Sequence, residues 1–310
     1  MSVLVTGANG YVGREVVAHL HGKGTAVRAL VLSPSSTLPA GVEQVTGDVT
    51  DAGSLAPAMD GVEAVIHLVA ILDGTDEQCE LVNHQGAVDV INSARSAGVR
   101  RLLHMSAAGV TEEHAPLTKY WRTKFAAKQA VMRSGLDWTV MEPSFVFGRG
   151  GGALKTFETL LRGPVAPVIG DGRYQHQPVW VGDVAAAFAA ALERPETAGK
   201  TYELGGPQVF TFDDLLDELA AAVGRPKRRK LHAPVGLMKV QASLLQYFPP
   251  PLKVTRDQIV MLVEGTVCEV YAADRVALSL RLYDHPVGAW GAFVQQGAAR
   301  IAGTRLSAPG

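Results

Sequence analysis

Cysteine is scarce in this chain, whose 310 residues contain only Cys79 and Cys268. Two distant cysteines provide neither a disulfide framework nor the four ligands of a structural zinc site. Long apolar runs are also missing, because no stretch reaches the roughly 18 residues that a membrane-spanning helix needs. Because the chain opens directly on a strand-like segment, we expect no signal peptide. These absences predict a cytoplasmic protein.

An excess of either charge is lacking as well. Lysine and arginine number 29 against 30 aspartates and glutamates, which gives a formal net charge of −1. A general nucleic-acid binder carries a clear basic excess, so nucleic acid is not expected as a partner. Hydrophobic residues make up 47% of the chain and charged residues 19%, a composition typical of a globular protein with a substantial core.

The first residues of the chain contain its most informative motif. The apolar run Val3–Val5 predicts a strand, and the helical pattern that follows it begins within a glycine-rich turn. In that turn Gly7 permits a tight bend, Gly10 lets the backbone approach a pyrophosphate, and Gly13 lets the helix pack closely on the strand. The helix N-terminus directs its N–H groups and dipole at the phosphates. The motif predicts a dinucleotide site with contacts at Gly7, Asn9, Gly10, Tyr11, Val12 and Gly13.

The spacing Thr6-Gly7-x-x-Gly10-x-x-Gly13 resembles the cofactor motif of the extended and atypical short-chain dehydrogenases/reductases. The segment Val82–Val99 is similar to the helix that follows the fourth strand in extended members. The strand end Ser-Ala-Ala-Gly and the stretch Thr255-Arg256-Asp257-Gln258 resemble a narrower group. This group comprises the atypical members related to the 39-kDa accessory subunit of respiratory complex I.

The second predicted strand, Thr25–Leu32, bears on the choice of cofactor. An acidic residue at its end would accept hydrogen bonds from the ribose 2′-OH of NAD and would repel the 2′-phosphate of NADP. This chain has no carboxylate between Glu15 and Glu43. The segment therefore favours NADP(H) over NAD(H), with Arg28 and Ser33 as candidate contacts.

The resemblance implies further cofactor contacts at the ends of the third, fourth and sixth strands. Asp48 stands where relatives have an aspartate that contacts the adenine ring. As an alternative, Asp48 or Asp51 caps the helix that begins near Ala52. The remaining implied contacts are Val49, Leu68, Val69, Ala70, Pro143 and Phe145.

Tyr120 and Lys124 form the one motif with evident chemistry. Their spacing of four residues, near the start of a predicted helix, places both side chains on one helical face. A phenol has a pKa of about 10 and is a poor base at neutral pH, but a neighbouring ammonium stabilises phenolate and lowers that pKa. In the family the same lysine also holds the nicotinamide ribose. The motif predicts Tyr120 as the acid–base group and Lys124 as its modulator and a cofactor ligand.

The third catalytic position is ambiguous. Relatives have a serine near the end of the fifth strand that hydrogen-bonds the substrate oxygen. Either Ser106 is this catalytic serine, or it is a strand-end hydroxyl and Ala107 or Ala108 occupies the catalytic position. Thr118 is a further candidate for the hydroxyl.

Glu142 departs from the family pattern. Relatives usually have an arginine immediately before the proline that is Pro143 here. A carboxylate near a nicotinamide phosphate would be repelled by it. We therefore expect Glu142 to face away or to pair with a base such as Arg149.

Strand and helix patterns alternate along the chain and predict an α/β fold. This fold is a Rossmann doubly wound parallel sheet with a smaller, mostly helical C-terminal lobe. Residues 1–150 would form the dinucleotide-binding domain, to which 177–206 return, while 151–176 and 207–310 would form the substrate-side lobe. The active cleft is expected at the carboxyl ends of the strands, between sheet and lobe.

Two classes of function remain open. The intact pair Tyr120 and Lys124 favours an NAD(P)-dependent oxidoreductase, or an epimerase/dehydratase-like enzyme, that acts on a hydroxyl/carbonyl group. The segment Ser106–Gly109 has a single hydroxyl residue, which favours a non-catalytic NADPH-binding structural or sensor protein, as the resemblance to the complex I subunit implies. The expected partner is a small molecule, with a quinone-like or otherwise apolar compound as a candidate. No motif predicts an oligomeric state.

A basic and an apolar segment follow each other near the C-terminus. Arg225–Lys230 contains five bases in six residues, and the apolar segment Val235–Phe248 comes shortly after it. In one reading the bases form a solvated loop and the apolar helix lines the substrate pocket. In the other, residues 225–248 contact the inner face of an anionic membrane, and the protein is peripheral there.

Overall fold

The computed structural model describes residues 1–148, 161, 163, 165–222, 229–245 and 255–268. The strands are β1 (Ser2–Thr6), β2 (Ala26–Val31), β3 (Glu43–Thr46), β4 (Ala64–His67), β5 (Arg101–Met105), β6 (Asp137–Pro143), β7 (Val146–Phe147), β8 (Val165–Ile169), β9 (Gln175–His176), β10 (Val179–Trp180), β11 (Lys200–Leu204), β12 (Phe210–Thr211) and β13 (Arg229–Ala233). The helices are α1 (Tyr11–Gly22), α2 (Ala52–Met59), α3 (Asp76–Cys79), α4 (Gly86–Ser96), α5 (Lys119–Met132), α6 (Val181–Leu192), α7 (Phe212–Ala222), α8 (Val235–Leu245) and α9 (Arg256–Glu264).

A seven-stranded sheet with the order β11-β6-β5-β4-β1-β2-β3 forms the centre of the first part of the chain. Every neighbouring pair in it is parallel. The chain starts at β1 in the middle, winds outward to β3, and then returns to the other side through β4. This is the predicted doubly wound Rossmann topology, in which the switch between β1 and β4 opens a crevice at the carboxyl ends of the strands.

One face of this sheet is buried under α4 and α5. Leu4, Val65, Leu102 and Val140 are buried on four neighbouring strands. They form one core cluster with residues of the two helices, namely Val90, Ile91, Ala94 and Val131. Each aliphatic side chain buried in this way contributes roughly 1.5–3 kcal/mol to folding. Through Val131, this cluster packs α5 against the sheet.

The described residues fall into two units. The first consists of the described residues of Met1–Ser144 and Val181–Leu204 together with Cys268, and the second of those of Phe145–Trp180 and Gly205–Val267. The predicted division, with 177–206 returning to the first domain, stays a proposal.

The second unit contains three helices and three two-stranded pairings among its described residues. The pairings are β10 with β7, β12 with β9, and β13 with β8. Its core joins Phe147 and Val168 to the buried face of α7. The helix α9 begins with a capping box, in which Thr255 Oγ1 accepts from Gln258 N at 3.2 Å and Gln258 Oε1 accepts from Thr255 N at 3.0 Å. In the part of the chain that the structure describes, no helix is both long and apolar enough to cross a bilayer.

Candidate functional site

The glycine turn between β1 and α1 has the geometry that its sequence predicts. Gly7 adopts a φ of 71°, a conformation that other residues rarely adopt. Its carbonyl accepts a hydrogen bond of 3.0 Å from Gly10 N. A Cβ at Gly13 would lie 2.0 Å from the same carbonyl oxygen, so only glycine fits there. The turn therefore requires glycine at 7 for its backbone and at 13 for its packing.

The turn presents its backbone to solvent at the N-terminus of α1. Asn9 and Gly10 are exposed, whereas Val12 is buried against the sheet. Tyr11 is partly buried, and its hydroxyl has no hydrogen-bond partner among the described residues. Free amides at a helix N-terminus, next to a glycine-rich turn, fit the pyrophosphate of a dinucleotide.

The end of β4 lies against this turn. A Cβ at Gly7 would come within 3.2 Å of Val69 N and Val69 Cγ2, and within 3.3 Å of the Leu68 carbonyl carbon. Leu68 is buried, and Val69 and Ala70 are partly buried. The structure thus brings the predicted contacts of the first and fourth strands together.

Asp51, and not Asp48, caps the helix α2. Asp51 Oδ1 accepts a hydrogen bond of 3.0 Å from Gly53 N. Asp48 is partly buried and accepts from Thr50 N at 2.9 Å. Val49 beside it is buried in the core under α4. The capping alternative therefore does not apply to Asp48, and its adenine contact stays a prediction.

The two candidates near the end of β2 differ in their surroundings. Ser33 is exposed beyond the strand end. The Arg28 guanidinium instead forms an ion pair with Glu43 at 3.0 Å and donates to the carbonyls of Ala58 and Asp60. A cofactor contact by Arg28 would require it to leave these partners.

The helix α5 carries Tyr120 and Lys124 and begins at Thr118. Thr118 Oγ1 accepts from Trp121 N at 3.1 Å, so this hydroxyl serves as the helix cap. Lys124 is only 1% exposed, and its ammonium donates to the Met105 carbonyl at the end of β5. The motif therefore lies at the carboxyl edge of the sheet.

Burial shifts the pKa of Tyr120 in the direction opposite to the predicted one. The sequence predicts that Lys124 lowers the pKa of this phenol. Desolvation instead raises the pKa of Tyr120 to about 12. At neutral pH the hydroxyl keeps its proton and is a hydrogen-bond donor and a proton source.

Burial also lowers the pKa of Lys124 to about 8, although the Glu142 carboxylate acts to raise it. Between about pH 8 and pH 10.5, Lys124 is protonated in the unfolded chain and largely neutral in the folded one. The free energy of unfolding therefore rises with pH across this window. Below the window the buried charge costs about 3 kcal/mol.

We expect Lys124→Met to increase the free energy of unfolding at pH 7 by up to about 3 kcal/mol, because it removes this buried charge. The gain should shrink as the pH rises above about 8. Urea denaturation at a series of pH values measures both effects. Lys23→Met at an exposed ion pair is the control, with an expected change below about 1 kcal/mol. A constant difference between Lys124→Met and the parent at all pH values would contradict the assignment.

Two buried histidines lie beside Lys124. The rings of His67 and His104 are stacked with 5.3 Å between centroids. His67 Nδ1 lies 2.7 Å from Thr6 Oγ1 on β1. Burial, and to a lesser extent the Lys124 charge, lower the pKa of His67 to about 3 and that of His104 well below its usual value. Both rings are therefore neutral at neutral pH. By resemblance to the family, the sequence places His67 next to the cofactor, which stays a prediction, and it assigns no role to His104.

Ser106 follows β5 and is only 2% exposed. Its Oγ is buried without a well-formed hydrogen bond, beside the Glu142 carboxyl group. Among its neighbours, Ala107 is partly buried and Ala108 is buried. Ser106 thus has the only hydroxyl in this short segment, and its catalytic role stays a prediction.

Glu142 pairs with Lys128, a partner that the sequence analysis missed. Glu142 Oε1 lies 2.8 Å from Lys128 Nζ, and both side chains are largely buried. Burial raises the pKa of Glu142, while Lys128 acts to lower it. Arg149, the predicted partner, lies outside the described residues. The spacing of eight residues between Tyr120 and Lys128 was the available signal, because it continues the motif by one helical turn.

Asn83 is a second residue that the sequence analysis left without a role. It lies in the π-helical segment Glu80–Gln85, where an α-helix was predicted. Its side chain accepts from Ile71 N at 2.7 Å and donates to Ile71 O at 3.0 Å and to Thr123 Oγ1 at 3.1 Å. Asn83 therefore ties the loop after β4 to the turn of α5 that carries the tyrosine and lysine.

Pro143 and Phe145, the last two predicted cofactor contacts, belong to different units of the chain. Pro143 ends β6, and its carbonyl accepts from Ala108 N at 2.9 Å. Phe145 belongs to the second unit, where its ring lies 5.3 Å from that of Phe147 and 5.4 Å from that of His176. Phe145 as a cofactor contact therefore stays a prediction.

The NAD(P)H-binding family profile matches residues 7–195, which include the glycine turn and α5. The chain is 33% identical to (4-alkanoyl-5-oxo-2,5-dihydrofuran-3-yl)methyl phosphate reductase of Streptomyces griseus over 261 residues, 81% of this chain and 83% of that protein. It is 29% identical over 283 residues to NADH dehydrogenase [ubiquinone] 1 alpha subcomplex subunit 9, mitochondrial, of Arabidopsis thaliana, with 85% and 70% covered. It is also 29% identical over 262 residues to uncharacterized protein y4nG of Sinorhizobium fredii, with 78% of this chain and 65% of that protein covered.

Among solved structures, UDP-glucose 4-epimerase of Thermus thermophilus in complex with NAD superimposes with a TM-score of 0.72. The sequence identity is 21%, and the match covers 98% of this chain and 100% of that one. At this identity the likeness supports the fold alone. The family match, the relatives and the glycine turn lead to one conclusion: the chain belongs to the NAD(P)H-binding family and is a relative of the extended short-chain dehydrogenases/reductases.

Proposed function

We propose that this chain is an NAD(P)H-dependent oxidoreductase that reduces a carbonyl group of a small molecule. The observation that supports it best is the position of α5. Its first turns bring Tyr120 and the buried Lys124 to the carboxyl edge of the sheet, on the same edge as the glycine turn. An edge that combines a dinucleotide turn with a proton source suits hydride transfer to a carbonyl. The Streptomyces griseus relative is named a reductase, which agrees with this proposal.

Each candidate residue has a separate task in this proposal. The backbone of Gly7–Gly13 binds the pyrophosphate, and Lys124 holds the nicotinamide ribose. The reduced nicotinamide supplies the hydride. Tyr120 donates the proton to the carbonyl oxygen, and Ser106 donates a hydrogen bond to that oxygen. The same groups suit an epimerase or dehydratase that acts on a hydroxyl/carbonyl pair.

The protonation of Tyr120 favours the reducing direction. Because its pKa is raised to about 12, the phenol is protonated throughout the neutral range. A protonated phenol can donate to an oxygen that gains negative charge as hydride arrives. Oxidation of an alcohol needs the phenolate instead, which burial disfavours here.

NADP(H) is the cofactor that we propose over NAD(H). The segment after β2 has no carboxylate to repel a 2′-phosphate, and Ser33 is exposed there. Leu32 is 69% exposed, so the strand end is open to solvent. Arg28 contributes little to this preference, because Glu43 and two carbonyls occupy its guanidinium.

A non-catalytic NADPH-binding protein is the second candidate, and the likeness to the Arabidopsis thaliana subunit supports it. A panel of carbonyl compounds and quinones with NADPH separates the two candidates. The oxidoreductase proposal expects consumption of NADPH with at least one member of the panel. Tight binding of NADPH without consumption by any of them would favour the second candidate.

We also propose a weak contact with an anionic membrane surface through the second unit. Leu231 on β13 is 64% exposed and Leu237 on α8 is 61% exposed. Arg229, two residues before Leu231 on the same strand, is exposed as well. Lys230 is engaged by Asp217 at 3.0 Å, and Arg225–Arg228 lie outside the described residues. A peripheral protein with a quinone-like or other apolar substrate would meet that substrate at such a surface.

Replacement of Leu231 and Leu237 by Gln should abolish co-sedimentation with anionic vesicles at low salt, because it removes the apolar contact. Replacement of Leu72 and Leu81 by Gln, both exposed on the first unit, is the control. Failure of the parent chain to co-sediment at any salt concentration would end the membrane proposal and leave the oxidoreductase proposal untouched.

A further inference from the structure

The Tyr-x-x-x-Lys motif continues by one turn along α5. Tyr120, Lys124 and Lys128 are spaced four residues apart, so they form one stripe on the helix. Two ammonium groups at this spacing repel each other. The first of them is buried, and each such charge needs a counter-charge or loses its proton.

Glu142 is an acidic residue that contacts this stripe at Lys128. It stands on β6, and its Oε1 lies 2.8 Å from Lys128 Nζ. Lys124 Nζ donates to the carbonyl of Met105, the residue that pairs with Met141 across β5 and β6. Glu142 follows Met141 directly, so its carboxylate and the Lys124 ammonium reach the same end of the sheet.

Among the residues that the structure describes, the other groups around Lys124 supply no negative charge. On β4 and β5 the facing rings are His67 and His104, which are neutral at neutral pH. The hydroxyl of Ser106 and that of Tyr120 are uncharged as well. Glu203 on β11 is the neighbour of Glu142 in register, and it raises the pKa of that carboxyl. Lys128 has the opposite effect and stabilises the carboxylate.

We propose that Glu142, held by Lys128, is the positioning residue that keeps Lys124 protonated at the cofactor site. This inference rests on the proposed role of Lys124 in holding the ribose. Deprotonation of Lys124 would remove its charge and one of its three N–H donors. Its hydrogen bonds to the ribose hydroxyls would then be weaker. The pair of Glu142 and Lys128 would thus determine the pH at which the affinity for NADPH begins to fall.

The first test is the dissociation constant of NADPH as a function of pH. For the parent chain the affinity should fall as the pH rises through the pKa of Lys124, about 8. Glu142→Gln should move this midpoint down by about one pH unit or more, which is the effect of removing an opposite charge a few ångströms away. Between the two midpoints the affinity of the variant should be up to about tenfold lower. Glu142→Asp, which restores the charge, should return the midpoint toward that of the parent.

Glu80→Gln is the matched control. Glu80 is paired with Arg122, which lies on the same helix, at 3.1 Å, so the substitution removes the same charge from another side of α5. The midpoint of this variant should equal that of the parent. An equal shift in Glu80→Gln and Glu142→Gln would overturn the proposal, because the effect would then be one of net charge.

A double variant covers the case in which Glu142→Gln does not fold. Lys128→Gln combined with Glu142→Gln removes the ion pair and leaves neither charge without its partner. We expect the midpoint to lie below that of the parent, because Glu142 is the charge that raises the pKa of Lys124. A midpoint unchanged from that of the parent in this variant or in Glu142→Gln would overturn the proposal.

A second readout separates this proposal from the proposed function. The difference in unfolding free energy between the parent and Lys124→Met, followed against pH, reports the pKa of Lys124 without any cofactor. The same comparison can be made between Glu142→Gln and the double variant Glu142→Gln with Lys124→Met. In that pair the pH dependence of the unfolding free energy should be displaced to lower pH. If the parent binds neither NADPH nor NADH, the oxidoreductase proposal fails, and the unfolding difference alone decides whether Glu142 controls Lys124.

Discussion

Tyr120→Phe should strongly reduce kcat and leave the affinity for NADPH within about twofold of that of the parent. The substitution removes one oxygen atom, which is the proton donor in the proposed reaction. General acid catalysis contributes a factor of roughly 100 to 10,000, and we expect a loss of that size in kcat. The phenyl ring keeps the packing of the partly buried side chain, so the fold should be retained. Steady-state kinetics and NADPH titration measure the two quantities.

Tyr174→Phe is the control for this loss. It removes another partly buried phenol, whose hydroxyl donates to the Ile169 carbonyl at 2.8 Å in the second unit. It should cost about 1 kcal/mol of stability and keep kcat near that of the parent. Full activity of Tyr120→Phe would refute the proposed proton donor, while the cofactor site would stand.

Gly13→Ala should strongly weaken cofactor binding. The added methyl carbon would lie 2.0 Å from Gly7 O and 2.9 Å from Ala8 Cα, so the backbone of the turn must move. Overpacking of this kind costs about 1–3 kcal/mol of stability. The pyrophosphate would lose its charge-assisted hydrogen bonds to the displaced amides, and the affinity should fall by on the order of a hundredfold.

Gly22→Ala is the matched control on the same helix. A Cβ at Gly22, the last residue of α1, has no atom within 4 Å. Its affinity for NADPH should equal that of the parent. Binding by Gly13→Ala with unchanged affinity, measured by calorimetry, would contradict the placement of the pyrophosphate at this turn.

The parts of the site that depend on local sequence were predictable. The turn at Gly7–Gly13 is determined by backbone conformation and by contacts within a few residues, and both leave a glycine signature. The parallel sheet follows from the alternation of apolar strands with helices, since crossovers in such sheets have one hand. Tyr120 and Lys124 share a face because of the helical period alone.

The electrostatics of the site could not be predicted, because they depend on distant parts of the chain. The sequence analysis expected the pKa of Tyr120 to fall, but burial raises it. That burial comes from packing, which no local pattern reports. The pair of Glu142 and Lys128 joins β6 to α5, and the stacked rings of His67 and His104 join β4 to β5. Such contacts follow only from the order of strands in the sheet.

Calorimetric titration of the unmodified chain with NADPH and with NADH tests the central claim most directly. Both ligands would use the turn at Gly7–Gly13, so the account predicts saturable binding of a reduced nicotinamide dinucleotide. It further predicts that NADPH binds more tightly than NADH, because no carboxylate follows β2. Tighter binding of NADH would overturn the cofactor preference. Absence of binding to both ligands would contradict the central claim.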